Sequence, residues 1–247
     1  MKVYIRKNAA GRIYNANMYT AYAGFLEKEA EIHYYTTIHS LTDTPTKDIV
    51  VGLYTDLHWL LNSWGIDLPE QSYPEELQAF LGRKLWKSTL FTITNHPEQW
   101  HVFVKPVHDV KRFKGTVLDE TKDLVRLGGL IDDIEVWCSE KVEFRSEWRA
   151  YVLEGKILGL YRYDGDWRLY PDPEVVAQAV EQYRQAPRGY AIDFGITPEG
   201  KTLLVEVNDG FGLGNYGLEP KLYAQLLAAR WEELTENLEV PELSVEE

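Results

Sequence analysis

The order of apolar and polar positions divides the chain into two parts with different patterns. In the first part, KVYIR and IHYYT have the spacing of short strands, NANMYTAYAGFLEKEA has helical spacing, and DIVVGLY is a continuous apolar run typical of a buried strand. TDLHWLLNSWG predicts a short helix with Thr55 or Asp56 as its N-cap and Gly65 after its end. This alternation of strands and helices predicts a small α/β unit.

The second part has the pattern of strands and hairpins. YPEELQAFLGRKLWKSTL still predicts a helix with Pro74 in its first turn. Strands are then predicted at WHVFVKPV and IEVWCSEKVEF, and hairpins at EWRAYVLEGKILGLYRYDGDW and GYAIDFGITPEGKTLLVEVND. PDPEVVAQAVEQYRQA and EPKLYAQLLAARWEEL predict helices, and GTVLDETKDLVRLGGL contains a short predicted helix. We therefore expect a domain of residues 1–88, a second domain of residues 89–235, and an acidic tail of residues 236–247.

The second hairpin places polar side chains where an apolar face is expected. If its turn centres between residues 199 and 200, Asp193 faces Glu206, and Asn208 lies on the same face as Glu206. Opposed carboxylates repel each other, and a divalent cation would reverse the sign of that interaction. Two other interpretations stay open: a register one residue different, or a face exposed to solvent.

Composition limits the function classes. The chain has 247 residues and a net charge of −13, which argues against a general nucleic-acid binder. Residues 232–247 contain seven Glu and no Lys or Arg. One cysteine, Cys138, excludes an internal disulfide framework and a Cys-cluster zinc site. No apolar run approaches the ~20 residues of a membrane span, and the N-terminus does not resemble a signal peptide. We expect a cytoplasmic protein with no nucleic-acid or membrane partner.

A basic stretch, HVFVKPVHDVKRFKGT, contrasts with this acidic background. Its basic residues are Lys105, Lys111, Arg112 and Lys114. Such a stretch indicates a small anionic ligand or, equally, a solvated surface loop. The later GLGNYG matches a dinucleotide-binding pattern, but only 30 residues follow it, too few for the second strand and acidic residue that this motif needs.

The ordered set of a small α/β unit, FVKP, EWRAYVLEGKILGLYRY and AIDFGITPEGKTLLVEVNDG resembles the ATP-grasp superfamily. It is most similar to the arginine-plus-two-lysine clade, which includes the eukaryotic cell-division-cycle protein that assembles initiation factor two. The resemblance covers residues 80–230. It implies an α+β, ATP-grasp fold in which two subdomains with antiparallel sheets hold a nucleotide, preceded by a small α/β pre-domain.

The resemblance also implies residue roles. Lys105 matches a lysine that contacts nucleotide phosphate, and Lys84 matches an earlier lysine at the entry to the site, with Lys87 as its alternative. Ser139, Glu140 and Lys141, together with Lys114 of the basic stretch, are the other expected nucleotide-binding residues. Arg149 and Arg162 match arginines that contact phosphate or substrate; cross-strand pairing with Glu147 or Asp164 is the alternative. Asp193, Glu206 and Asn208 match a metal triad for two Mg²⁺ ions, with Mn²⁺ as a possible substitute.

The implied reaction is ATP-dependent ligation of a carboxylate to an amine through an acyl-phosphate, with release of ADP. Following the clade, we expect a peptide or protein substrate. Two features depart from the family pattern: VHDVKRFKGT contains only one glycine where a glycine-rich phosphate flap is expected, and the chain is short. The alternatives are an ATP-binding assembly factor that makes no covalent product and, less favoured, a nucleotide-binding oxidoreductase.

Overall fold

The computed structural model describes residues 1–43, 45–108, 112–127 and 132–239. Lys111 of the basic stretch and residues 240–247 of the acidic tail therefore lie outside the described residues. The strands are β1 Lys2–Arg6, β2 Glu31–Tyr35, β3 Ile49–Val51, β4 Leu85–Thr89, β5 Val102–Pro106, β6 Thr116–Leu118, β7 Glu135–Glu140, β8 Ser146–Leu153, β9 Lys156–Gly165, β10 Gly189–Ile196 and β11 Thr202–Asp209. The helices are α1 Ala16–Glu27, α2 Tyr54–Ser63, α3 Leu90–Thr94, α4 Pro173–Gln182 and α5 Pro220–Thr235, with short 3₁₀ segments at Ile38–Leu41, Glu75–Phe80, Pro97–Gln99 and Thr121–Leu127. No helix within these ranges is long and apolar enough to cross a membrane.

The N-terminal strands form a three-stranded parallel sheet in the order β2-β1-β3. Asn15 caps α1 by accepting a hydrogen bond from the Met18 amide, 3.0 Å away. The prediction that Thr55 or Asp56 caps α2 is wrong, because the N-cap residue is Leu53, which makes no side-chain hydrogen bond. Asp56 lies in the first turn of α2 and pairs with Arg6 instead. Gly65 ends this region in a left-handed conformation (φ 76°), as expected.

The prediction of one continuous helix after Pro74 is wrong, because only the first turns of this segment are helical. A 3₁₀ segment ends at Phe80, and Gly82 then takes a positive φ of 60°, which a continuous right-handed helix cannot accommodate. The next residues form β4, which pairs antiparallel with β7. The segment with helical apolar spacing thus divides into the 3₁₀ turns Glu75–Phe80 and the strand β4, with only its last residue in α3.

The second half of the chain contains two antiparallel sheets, as expected. The first has the order β4-β7-β5-β6, and one face packs a core that includes Val104, Val136 and Cys138 against α3. The second has the order β11-β10-β8-β9 and consists of the two predicted hairpins. One face of this second sheet packs a core that includes Ile192 and Phe194 against α4.

The register of the second hairpin brings Asp193 opposite Glu206, as the sequence predicts, although the pairing is not uniform. Phe194 pairs with Leu204, so Val205 is an extra residue that forms a β-bulge between the two pairs. Leu204 and Val207 both join the core on the α4 side. The bulge therefore interrupts the strict alternation of side chains along β11, and Glu206 lies on the face of the sheet opposite to Leu204 and Val207.

The C-terminal helix α5 belongs to the core of the N-terminal sheet. That core contains Val3 and Ile5 of β1, Phe25 of α1, and Leu227 and Trp231 of α5. It also reaches the second antiparallel sheet through Tyr151 and Ala191. Helix α5 thus packs against the N-terminal sheet and joins it to the second antiparallel sheet.

Candidate active site

A cleft of about 1320 Å³ lies between the two antiparallel sheets and is also lined by residues of β3 in the N-terminal sheet. Its walls include Phe103 of β5, Phe144, which precedes β8, and Tyr54 of α2. Ligand pockets are typically about 300–1,000 Å³, so the cleft has room for more than one small molecule.

Lys105 and Glu206 form an ion pair across the cleft, from one antiparallel sheet to the other. The Lys105 ammonium donates to Glu206 Oε2 over 2.7 Å, and the lysine side chain is 9% exposed. Burial alone would lower the pKa of Lys105, but attraction to Glu206 outweighs it and raises that pKa. Burial would likewise raise the pKa of Glu206, yet the adjacent ammonium holds it below its ordinary value. Both groups are therefore charged at neutral pH.

Arg149 and Asp193 form a second ion pair on neighbouring strands. The guanidinium donates from Nε and Nη2 to the two carboxylate oxygens, each over 2.7 Å, and both side chains are buried. Asn208 also donates from Nδ2 to Asp193 Oδ2 over 3.1 Å. Burial opposes the charge of Arg149, but Asp193 raises the pKa of the guanidinium above its ordinary value. Each of the two carboxylates that the sequence predicts to repel each other thus has a cationic partner, although burial still raises the pKa of Asp193.

These residues provide hard oxygen ligands for a divalent cation. Two carboxylates and the amide of Asn208 lie on one side of the sheet, and Mg²⁺ prefers such oxygens together with water and substrate phosphates. Among the described residues, no group of three or more His, Cys, Asp and Glu side chains could hold a metal by itself. The donor set fits a metal that shares its ligands with a bound phosphate.

Arg83 lines the cleft, whereas Lys84, the residue expected at this entry, does not line it. The Arg83 guanidinium donates to the carbonyl of Leu204 over 2.7 Å and to the carbonyl of Val205 over 3.0 Å. Lys84 is exposed in the segment before β4, and its ammonium lies 5.5 Å from the ring centre of Trp86. The sequence placed this region on a helix, where the two neighbours could not be told apart.

Glu147 is a cleft residue that the sequence analysis considered only as a pairing partner for arginine. It accepts a hydrogen bond from the Tyr163 hydroxyl over 2.7 Å, and Tyr163 stacks on Tyr216 with ring centres 5.0 Å apart. A bulge makes Tyr163 the extra residue between the pairs Glu147–Asp164 and Trp148–Arg162. Burial is the largest cause that raises the pKa of Glu147, and Asp164 adds to it. In the part of the chain that the structure describes, no basic side chain pairs with Glu147.

The nucleotide-binding residues expected around the end of β7 have different environments. Ser139 and Glu140 line the cleft, and the carboxylate of Glu140 accepts a hydrogen bond from the Lys84 backbone amide over 2.9 Å. Lys141 is exposed and pairs with Asp119 at 2.6 Å, outside the cleft wall. Cys138 is buried in the core of the first antiparallel sheet.

The remaining expected residues divide between the cleft and the surface. Lys114 is exposed and lines the cleft. Arg162 pairs in register with Trp148, is exposed, and donates to the Gly165 carbonyl over 2.7 Å, so the structure does not bring it to the cleft. Neither Glu147 nor Asp164, its alternative partners, pairs with Arg162 among the described contacts.

The GLGNYG loop connects the metal-ligand candidates to the N-terminal sheet. It follows an antiparallel strand, which excludes the βαβ unit of a dinucleotide-binding fold. Tyr151 donates to the Gly214 carbonyl and accepts from the Tyr216 amide, and the Asn215 amide donates to Asn17 Oδ1. Gly212 has a φ of 61°, and a side chain there would meet the backbone of Tyr54. These bonds hold Tyr216 within 5.0 Å of the Arg149 guanidinium, measured to the ring centre.

Comparison with known proteins agrees with this architecture. Residues 80–226, more than half of the chain, match the model of the ATP-grasp domain, R2K clade family 2. A comparison with curated proteins gives no significant match. The fold is similar to that of D-alanine–D-alanine ligase from Bacillus anthracis, with a TM-score of 0.54, 15% identity, and coverage of 96% of this chain and 98% of that one. The same values hold for that ligase complexed with ATP.

A second structural relative is the ATP-grasp ligase PsnB complexed with a minimal precursor. Its TM-score is 0.52 at 14% identity, and the match covers 92% of this chain and 99% of PsnB. At such identities these structures establish the fold and not the substrate. The match of the family model and the two antiparallel sheets around one cleft together establish that this chain belongs to the R2K clade family 2 of ATP-grasp domains.

Proposed function

We propose that the protein is a Mg-ATP-dependent carboxylate–amine ligase that works through an acyl-phosphate and releases ADP. The observation that carries the proposal is the pair of ion pairs in the cleft, Lys105–Glu206 and Arg149–Asp193. A phosphoryl transfer site needs fixed cations for phosphate and hard oxygens for a metal, and these four side chains supply both. Phe103, Ser139 and Glu140 line the part of the cleft proposed for the adenosine.

In the first step, an oxygen of the substrate carboxylate attacks the γ-phosphorus of ATP. The bond from that phosphorus to the ADP oxygen breaks, and ADP leaves with the electron pair. Lys105 and Arg149 neutralise the phosphate oxygens, while Asp193, Glu206 and Asn208 would hold Mg²⁺. The bound metal supplies charge neutralisation and alignment of the phosphates.

In the second step, an amine nitrogen attacks the carbonyl carbon of the acyl-phosphate. The C–N bond forms, the C–O bond to phosphate breaks, and inorganic phosphate leaves. The amine must lose a proton in this step, and we propose that this proton goes to Glu147, a cleft carboxylate that has no basic partner among the described residues. The amine nitrogen would then approach the acyl-phosphate from the side of the cleft that Glu147 lines.

We propose a peptide or protein as the substrate that receives the new bond. The size of the cleft, about 1320 Å³, leaves room beside a nucleotide for an extended chain. The structural relative PsnB, which holds a minimal precursor, gives this choice further support.

The test is to incubate the protein with Mg-ATP, a cell extract and hydroxylamine, which traps acyl-phosphates as hydroxamates. We expect ADP rather than AMP to be released in an extract-dependent manner, together with a hydroxamate product. The Glu206→Gln variant, purified in the same way, controls for contaminating ATPases and should release no extract-dependent ADP.

A different outcome would identify an assembly factor. In that case the protein would form a stoichiometric complex with an extract component, without ADP release and without a mass change on any component. That result would overturn the ligase proposal and leave ATP binding intact.

A further inference from the structure

The cations proposed for phosphate and the carboxylates proposed for metal are bonded to each other in the structure. Lys105 uses its ammonium on Glu206, and Arg149 uses two nitrogens on both oxygens of Asp193, all at 2.7 Å. Asn208 points its amide nitrogen, not its oxygen, at Asp193. Each group thus already has the partner that it would have to release when a ligand binds.

Binding of a divalent cation without nucleotide is unfavourable at this site. To coordinate Glu206 and Asp193, it must displace Lys105 and Arg149, whose side chains are 9% and 7% exposed. Both would then be buried cations without a counter-ion, which is costly in a protein interior. The site therefore resists a metal ion without nucleotide.

Binding of a nucleotide without a metal ion is also unfavourable, because it leaves the carboxylates without cations. Its phosphates would attract Lys105 and Arg149 away from their carboxylates. Asp193 and Glu206 are directly opposite in the strand register, so their charges would repel each other without a cation between them. The site therefore also resists nucleotide without metal.

Both costs disappear when metal and phosphate arrive together. The carboxylates exchange their cations for the metal, and Lys105 and Arg149 exchange their carboxylates for phosphate oxygens. We propose, on the basis of the function proposed above, that these two ion pairs make Lys105 and Glu206 specificity-determining residues that select the metal–nucleotide complex against either component alone.

The test compares binding in the wild type, Glu206→Gln and Lys105→Met. Calorimetry measures the dissociation constant of the non-hydrolysable analogue AMPPNP in the presence of EDTA. Electron paramagnetic resonance measures Mn²⁺ binding without nucleotide. Because Glu206→Gln frees Lys105, metal-free AMPPNP should bind this variant about 5–150-fold more tightly than the wild type, the usual range of coupling between two sites. Because Lys105→Met frees Glu206, Mn²⁺ alone should bind that variant more tightly by a similar factor.

Lys114→Met is the matched control, since Lys114 is an exposed cleft lysine outside both ion pairs. It should not tighten the binding of metal-free AMPPNP or of Mn²⁺ alone. The double variant Lys105→Met/Glu206→Gln leaves no unpaired charge from this pair and tests the same idea if a single variant unfolds. Its coupling between Mn²⁺ and AMPPNP, corrected for their association in solution, should be smaller than in the wild type.

Two results separate this inference from the function it rests on. If the wild type does not bind Mg-AMPPNP at all, the proposed function is wrong. If the wild type binds Mg-AMPPNP but neither single variant gains affinity for its single ligand, the exchange of ion pairs is wrong. Unchanged coupling in the double variant would also overturn it.

Discussion

At the scale of residues, two ion pairs hold the charged side chains at the centre of the candidate site. Two carboxylates in one register would make Glu206→Gln stabilising if they merely repelled each other. The structure reverses that expectation, because Lys105 is buried and its ammonium bonds Glu206 over 2.7 Å. We predict that Glu206→Gln lowers the free energy of unfolding by about 1–3 kcal/mol, because Gln keeps an acceptor oxygen for Lys105 but removes the charge that balances the buried ammonium. Urea unfolding without metal or nucleotide measures this change.

The double variant Lys105→Met/Glu206→Gln provides the control for this prediction. Removing both charges leaves no unpaired ion, so the double variant should recover part of the stability lost in Glu206→Gln. A Glu206→Gln protein as stable as the wild type would show that Lys105 does not depend on this carboxylate.

For Glu147 we predict the opposite effect on stability, because replacing this residue should raise the free energy of unfolding. Burial raises its pKa, so the folded state disfavours the carboxylate and stability falls as the pH rises through the range between the unfolded and folded pKa values. Gln at this position keeps an oxygen that can accept from Tyr163 and removes the charge. We predict that Glu147→Gln is more stable than the wild type at pH 7.

The stability difference between Glu147→Gln and the wild type should shrink toward zero below about pH 4, where the wild-type carboxylate is protonated in both states. Urea unfolding of both proteins at the two pH values measures this, and taking the difference removes the effect of other acidic groups. A gain that is independent of pH would mean that the charge of Glu147 is not the cause. A residue that costs stability while it lines a cleft is typical of a functional side chain.

At the scale of elements, a bulge in β11 connects the two antiparallel sheets. The bulge turns the carbonyls of Leu204 and Val205 toward Arg83, which binds both from the segment before β4. The free edge of the second sheet is thereby covered. We predict that Arg83→Lys destabilises the protein by about 1–3 kcal/mol, because a lysine cannot reproduce the forked contact and leaves a carbonyl unsatisfied.

Thermal unfolding and hydrogen exchange would measure the effect of Arg83→Lys. Amides of residues 204–206 should exchange faster in the variant. Lys84→Arg is the matched control, because Lys84 is exposed and lies next to Arg83 in the same segment. Equal protection of these amides in Arg83→Lys and in the wild type would contradict the proposed role.

The sequence predicts elements well where local patterns decide them. Both hairpins were predictable because their strands alternate and their turns contain Gly155 and Gly200, which take positive φ angles. The opposition of Asp193 and Glu206 was predictable for the same reason. By contrast, β4 was predicted as a helix, because its place between β7 and solvent depends on a partner about 50 residues away.

The candidate site follows the same rule. The positions of Asp193, Glu206, Asn208, Lys105 and Arg149 follow from strand patterns, but their bonds to each other depend on how two sheets face across the cleft. Arg83 was missed because only the turn at Gly82 aims it at β11, and Glu147 because the bulge at Tyr163 is not visible in an alternating pattern.

At the scale of the whole molecule, α5 joins the N-terminal sheet to the second antiparallel sheet. Its residues Leu227 and Trp231 share one core with β1 and α1, and this core reaches Tyr151 and Ala191 of the second antiparallel sheet. Helices α1 and α5 approach each other closely at Gly24, where a Cβ atom would overlap the backbone carbonyl of Pro220. The cleft is therefore bordered by elements whose positions depend on this helix contact.

We predict that Gly24→Ala separates α1 from α5 and lowers the free energy of unfolding by about 1–3 kcal/mol, the usual cost of overpacking. Because the core is shared, amides of β10 in the second antiparallel sheet should lose protection from hydrogen exchange together with those of β1. Glu27→Ala is the matched control, since Glu27 is exposed on the same helix and its replacement leaves the contact unchanged. If Gly24→Ala weakens β1 alone and leaves β10 fully protected, the N-terminal sheet and the second antiparallel sheet unfold independently, and the core around α5 does not couple them.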